Sequence, residues 1–75
     1  MKKMNKQWTC SFYFTFYSGG MKFSTELEYI YFDLPEEQGH TDAEFYVSGI
    51  INELYKFEDI QPQLTLYCYE RRNNN

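Results

Sequence analysis

The sequence predicts an α+β fold: a single small domain with the element order ββαβ, in which one helix packs on one face of a three-stranded antiparallel sheet with strand order 2-1-3. Two segments of alternating apolar and polar residues flank a Gly-Gly pair, as in a β-hairpin. A segment with apolar residues three and four positions apart follows, and a third alternating segment comes last. The 75 residues allow one domain, predicted at 1–75, with an ordered core at about 7–70 and flexible termini at 1–6 and 71–75.

The first two strands are predicted on either side of Ser18-Gly19-Gly20, because these residues accept the positive φ of a tight turn. The core-facing residues of the first strand are expected to be Trp8, Cys10, Phe12, Phe14 and Phe16. Those of the second strand are expected to be Met21, Phe23, Thr25, Leu27 and Tyr29. The alternation then fails in the apolar run 30–32, which a β-bulge or a change in what covers that end of the strand would explain.

The helix is predicted to begin at Thr41, because Thr41 and Glu44 have the spacing of a capping box. Its apolar stripe consists of Ala43, Val47, Ile50, Ile51, Leu54 and Phe57. Gly49 weakens a helix by about 1 kcal/mol relative to alanine, unless it permits close approach to the sheet. Pro62 lies beyond the helix, and the third strand follows with Leu64, Leu66 and Cys68 facing inward.

One face of the predicted sheet carries no covering element. A right-handed crossover places the third strand beside the first, so the uncovered face combines tyrosines from both strands. These are Tyr13, Tyr17, Tyr67 and Tyr69. Tyrosine is a preferred interface residue, because its ring buries well while its hydroxyl keeps a hydrogen bond. The face is therefore expected to be a contact surface.

The two cysteines, Cys10 and Cys68, are expected on neighbouring strands inside the core. Buried free thiols are the favoured interpretation, and a single disulfide is the alternative, contributing ~4 kcal/mol by restricting the unfolded chain. The basic start MKKMNK is not followed by an unbroken apolar segment, and no stretch has the length of a membrane span. A cytoplasmic location without membrane association is the expectation.

Charge is segregated along the chain, whose net charge is −4. Residues 23–55 contain eight acids and no Lys or Arg. The acids are Glu26, Glu28, Asp33, Glu36, Glu37, Asp42, Glu44 and Glu53. Such a distribution predicts a negative surface that repels nucleic acid and attracts a basic protein.

No catalytic, metal or cofactor site is predicted. His40 is expected to be a plain loop residue, since no nucleophile is placed beside it. A cation held by the acids around His40 is the weaker alternative to a solvated loop, because no ligand spacing supports it. Glu26 and Glu28 would lie about 6.8 Å apart on one strand face. This spacing resembles that of phosphates along a nucleic-acid strand, with a solubilising surface as the alternative.

The favoured function is that of a small acidic protein-binding module, an inhibitor or regulator that blocks a basic, nucleic-acid-binding surface of a partner protein. The predicted partner-binding residues are Tyr13, Tyr17, Glu26, Glu28, Glu36, Glu37, Tyr67 and Tyr69. In size and charge the chain resembles the small acidic proteins with which phages and mobile elements block bacterial defence, anti-CRISPR proteins among them. That resemblance implies an anti-defence role and assigns no residue. The alternatives are single-stranded nucleic-acid or nucleotide binding through the aromatic face, and a structural module that forms a homodimer.

Overall fold

A computed structural model describes residues 4–71 as four strands and one helix. The elements are β1 (Asn5–Ser18), β2 (Met21–Ser24), β3 (Glu28–Pro35), α1 (His40–Leu54) and β4 (Gln63–Arg71). The α+β class and the ββαβ order are confirmed, because β2 and β3 lie end to end along one edge of β1 and together replace the predicted second strand. β4 pairs with the other edge, and all pairings are antiparallel. The sheet therefore has four strands rather than three.

The break between β2 and β3 is a β-bulge. Thr15 pairs with Ser24 and Phe12 pairs with Glu28, so three steps along β1 correspond to four steps along its partner. Thr25 bridges the break: its N–H donates to the Phe14 carbonyl at 2.9 Å, and its hydroxyl accepts from the Phe14 N–H at 2.9 Å. The predicted bulge thus occurs at 25–27 rather than at 30–32.

The extra residue reverses the faces of β3 relative to the prediction, because side chains alternate with a period of two. Tyr29 and Leu27, expected in the core, are 51% and 50% exposed. Ile30, Phe32 and Leu34 instead pack against the core. The turn before β2 is as predicted, with positive φ at both glycines of the Gly-Gly pair.

The core lies between α1 and the adjacent sheet face, here called the helix side. It consists of Trp8, Cys10, Phe12, Phe14, Leu34, Ala43, Val47, Ile51 and Cys68. A 15-residue helix is ~22 Å long, whereas the 14 residues of β1 extend ~46 Å. The helix therefore covers about half of the strand. Phe57 extends the cover over Phe14, with ring centroids 5.0 Å apart. Phe16 and Phe23 stack on each other at the hairpin end.

The cysteines are joined. Cys10 and Cys68 are directly paired in the β1–β4 ladder, with Cα atoms 4.0 Å apart, and form a disulfide. The favoured interpretation of free thiols is therefore wrong and the disulfide alternative holds. The bonded residues are 58 positions apart. A closed loop of this size contributes on the order of 4 kcal/mol by restricting the unfolded chain.

The helix begins and ends earlier than its sequence pattern predicts. Gly39 is the N-cap, and its N–H donates to Asp42 Oδ2 at 3.1 Å, so the predicted box of Thr41 and Glu44 is wrong. His40 is the first helical residue rather than a loop residue. Its ring packs edge-on against Trp8 with centroids 4.9 Å apart. The helix ends at Leu54, which leaves Phe57 outside it.

The strands extend into both segments expected to be flexible. β1 begins at Asn5 and β4 ends at Arg71. Residues 1–3 and 72–75, which were also expected to be flexible, lie outside the described residues. Within residues 4–71, no helix combines the length and the apolarity required to cross a membrane.

Candidate functional site

The sheet face opposite α1, here called the open face, is dominated by tyrosine. Directly paired residues of antiparallel strands share a face, so the ladders identify its members. Its six tyrosines are Tyr13, Tyr17, Tyr29, Tyr31, Tyr67 and Tyr69. The four tyrosines predicted from the sequence are thus joined by Tyr29 and Tyr31, which β3 brings to this face. The failed alternation at 30–32 was the sequence signal for these two residues.

Four of the tyrosines flank β1 in two rows, one on each neighbouring strand. Thr9 is paired with Tyr31 on one side and with Tyr69 on the other. Adjacent strands are ~4.8 Å apart, so the two rows of rings stand about 10 Å apart. Thr9 lies between the two rows and is 1% exposed, so neighbouring side chains cover it, and its hydroxyl has no hydrogen-bond partner within residues 4–71. Ser11 lies between the next pair of tyrosines.

The open face is almost neutral. Lys22 is paired with Tyr17 at the hairpin end, and Asp33 is paired with Gln7 at the other end. Arg71 is also beside Gln7, and its guanidinium lies 5.3 Å from the centroid of the Tyr31 ring. This distance permits a cation–π contact across β1. Among the described strand residues the face thus carries two cations and one carboxylate.

The helix side is acidic. Glu28 and Glu70 are paired with core residues of β1 and so share their face. The helix adds Asp42, Glu44 and Glu53. Among the described strand residues, one cation, Lys6, lies on this side; its Nζ is 6.0 Å from the centroid of the Trp8 ring. Lys56 lies 4.0 Å from Glu53, but both side chains are largely exposed, so their attraction contributes at most ~1 kcal/mol.

The predicted acidic residues are not gathered in one place. Glu26 lies in the bulge, and Glu28 begins β3 on the helix side, so the two do not share a strand face. Glu36 and Glu37 follow β3 in a turn, where the Glu36 N–H donates to the Met4 carbonyl at 3.0 Å. About 27 Å of strand separates this turn from the start of β3. The structure therefore divides the predicted site between two surfaces: tyrosines on the open face, and acids on the helix side and its connections.

The outward surface of α1 carries a feature that the sequence analysis missed. Phe45 is 83% exposed and points away from the sheet, since it lies roughly 160–200° around the helix from the buried Ala43 and Val47. Asp42 precedes it by one turn and Gly49 follows it by one turn. A Cβ added at Gly49 meets no described atom within 4 Å, so this glycine does not serve close approach to the sheet. An aromatic residue outside the apolar stripe was the available signal.

The cavities and side-chain clusters do not supply a catalytic constellation among the described residues. A groove of about 410 Å³ lies at the hairpin end, lined by Thr15, Phe16, Tyr17, Asp59, Ile60, Gln61 and Gln63. It holds one carboxylate and no cysteine or histidine. Within residues 4–71, no three His, Cys, Asp or Glu side chains are placed to hold a metal ion.

No family model, curated protein or solved structure matches the chain. Its function is therefore inferred from these two surfaces alone.

Proposed function

We propose that this chain is a non-catalytic protein-binding module that docks the outer side of α1 onto a basic surface of a partner protein and inhibits or regulates that partner by covering the surface. The observation that carries this proposal is the exposure of Phe45, an aromatic side chain in mid-helix with Asp42 one turn before it. Exposed single apolar residues are common, but an aromatic residue within a charged rim has the composition of an interface centre.

The surroundings of Phe45 support a docking role. Burying a phenylalanine side chain stabilises a complex by ~1.5–3 kcal/mol from the transfer of its apolar surface. Gly49 leaves open space one turn away, where a partner could approach the helix backbone. A mid-helix glycine costs about 1 kcal/mol, and the packing of this chain does not compensate for that cost. The glycine is thus better explained by an intermolecular contact than by the fold.

The acidic side chains define the kind of partner. Carboxylates around an apolar centre accelerate encounter with a basic surface and fix its orientation, while their net contribution to affinity is smaller. Glu26, Glu28, Glu36 and Glu37 extend the negative field beyond α1. A basic surface that itself binds nucleic acid is the natural target, and the resemblance in size and charge to phage anti-defence proteins favours an inhibitory outcome.

The test is capture of partners from a lysate of the natural host by the immobilised oxidised chain. We expect a basic protein to bind to the wild-type chain, to be lost with Phe45→Ala, and to be retained with Leu54→Ala. Leu54 is the matched control, because it is also apolar and largely exposed, at 68% against 83% for Phe45, but lies on the sheet-facing side of α1. Capture that is identical for both variants contradicts a role of Phe45.

The acidic side chains are tested on the captured protein. Replacing Glu26, Glu28, Glu36 and Glu37 with Gln is expected to slow association and to flatten its salt dependence. An association rate at low salt that equals that of the wild type would show that these four acids are not part of the interface.

Nucleic-acid binding through the open face remains the second candidate, since tyrosine rings stack on bases and Lys22 and Arg71 lie on that face. Titration with a single-stranded oligonucleotide at low salt separates the candidates. Binding that is lost with Tyr31→Ala and unaffected by Phe45→Ala favours nucleic acid.

A further inference from the structure

We propose that the open face pairs with the open face of a second copy of this chain, so that two sheets pack face to face about a two-fold axis with their strands antiparallel. The result is a four-layer dimer with α1 and its acidic side turned outward on both copies. The open face is a different surface from the outer side of α1 that is assigned to partner binding. Its order of side chains, the positions of its charges and its area all suit a second copy.

The order of side chains along β1 is self-complementary. The open-face positions of β1 run from Asn5 to Tyr17, and the six from Gln7 to Tyr17 have their midpoint at Phe12. A two-fold axis across the strands at this midpoint places Tyr13 of one copy over Ser11 of the other, and the reverse contact follows by symmetry. Tyr13 thus meets the smallest side chain of the facing row, whereas Tyr17 faces Gln7. Sheets in a sandwich are ~10 Å apart, and their inner side chains interdigitate in this way.

The flanking strands follow the same rule. On β4, Tyr67 is paired with Ser11 and Thr65 with Tyr13. The same axis therefore places Tyr67 of one copy over Thr65 of the other. On the other edge, Tyr31 lies at the level of Thr9 and Ser24 at the level of Thr15. The axis exchanges these two levels, so Tyr31 faces a serine. One tyrosine on each of the three lines of the sheet therefore meets a small residue, while Tyr69 faces Gln63.

Two of the three charges of the open face are also self-complementary. Lys22 lies at the level of Tyr17 and Asp33 at the level of Gln7, on the same edge of β1. The axis exchanges these levels, so Lys22 of each copy faces Asp33 of the other, and the contact occurs twice. A two-fold axis along the strands would instead exchange the two edges of the sheet and place Asp33 opposite Arg71, whose guanidinium already lies against Tyr31 of its own copy. The two Lys22–Asp33 contacts thus belong to the antiparallel orientation alone.

The available area meets the requirement of a stable interface. Five of the tyrosines are between 39% and 69% exposed. At roughly 200 Å² per ring, their exposed parts amount to about 600 Å² per copy. Pairing two copies would bury ~1,200 Å² from these side chains alone, which reaches the range of specific interfaces. A near-neutral face provides no field for a strongly charged partner, and this favours a second copy over nucleic acid.

Lys22 and Asp33 allow a test by charge reversal in the oxidised full chain. Sedimentation equilibrium of the wild type is expected to give twice the chain mass of 9.2 kDa. K22D and D33K should each raise the dissociation constant at least about tenfold, because each replaces two attractions with two repulsions. An equimolar mixture of K22D and D33K chains should restore dimers, since each chain then offers the charges that the other lacks. Circular dichroism checks that both variants remain folded.

Ser11→Tyr distinguishes face-to-face packing from pairing of the β2–β3 edges, which could also bring Lys22 near Asp33. The added ring fills the recess for Tyr13 and should abolish the dimer, whereas Ser11→Ala should leave it intact. A wild-type monomer at high concentration overturns the proposal. Failure of the mixture to restore dimers also overturns it, as does a dimer that tolerates Ser11→Tyr. A dimer that is lost only with Phe45→Ala would assign the contact to α1 and refute the open face.

Discussion

Replacing Gly49 with alanine should stabilise the isolated domain. The glycine lies inside α1, is exposed, and leaves nothing described within 4 Å of a built Cβ, so the added methyl group meets no atom. Alanine loses less conformational entropy than glycine when a helix forms, which is worth roughly 0.5–1 kcal/mol. For a domain of this size, 1 kcal/mol corresponds to about 4–8 °C in Tm. A rise of about 2–8 °C is therefore expected in thermal melts followed by circular dichroism.

The same substitution at Gly39 is the matched control. Gly39 is the N-cap of α1 with extended backbone, so alanine fits the local conformation and also meets nothing within 4 Å. Alanine is nevertheless a poor N-cap compared with glycine, and a loss of up to about 1 kcal/mol is expected there. A fall in Tm with Gly49→Ala, or equal shifts at both positions, would refute the assignment of Gly49 as an unoccupied helical surface position. Weaker partner binding by the stabilised variant would link this glycine to docking.

Three further predictions concern stability. Phe14→Ala should cost about 3–5 kcal/mol in denaturant unfolding, whereas Thr15→Ala on the open face should cost about 1 kcal/mol; a reversed ranking would show that the faces are assigned incorrectly. Thr25→Val should cost ~1–3 kcal/mol, because it removes the acceptor of the Phe14 N–H at the bulge, and Tm unchanged from wild type would exclude that bond. Replacing Cys10 and Cys68 together with serine should lower stability by ~2–5 kcal/mol, and equal unfolding of this variant and the oxidised wild type would contradict the cross-link.

Periodicity predicted which residues of the strands and the helix face the core. The ten residues from Trp8 to Tyr17 alternate strictly, and β1 places its apolar set on the face that α1 and Phe57 cover, although Thr9 and Thr15 on the other face are buried as well. β4 behaves in the same way around Cys68. The helix was recognisable from Ala43, Val47 and Ile51, which are its buried residues. A strand or helix that buries one face has apolar residues at a regular spacing, and this spacing can be read from the sequence.

The remaining features depend on single residues that no periodic pattern marks. One extra residue at 25–27 exchanges the faces of β3, which removes Tyr29 from the predicted core and adds it to the open face. The N-cap is Gly39 rather than Thr41. The Gly39 N–H donates to the Asp42 carboxylate, and this bond takes the place of the predicted capping box of Thr41 and Glu44. The sequence-based prediction also placed acids and tyrosines in one site. Positions along the chain do not show which side of the sheet a residue occupies, so this grouping was wrong.

The disulfide makes the middle of this chain a covalent ring. Cys10 and Cys68 enclose β2, β3 and α1 completely, along with most of β1 and β4. One cut in the backbone within that ring would leave a single molecule in its oxidised form and two pieces after reduction. The Gly19-Gly20 turn could thus be opened to create new chain ends, at the exposed tip of the hairpin, while every strand stays attached to the same molecule.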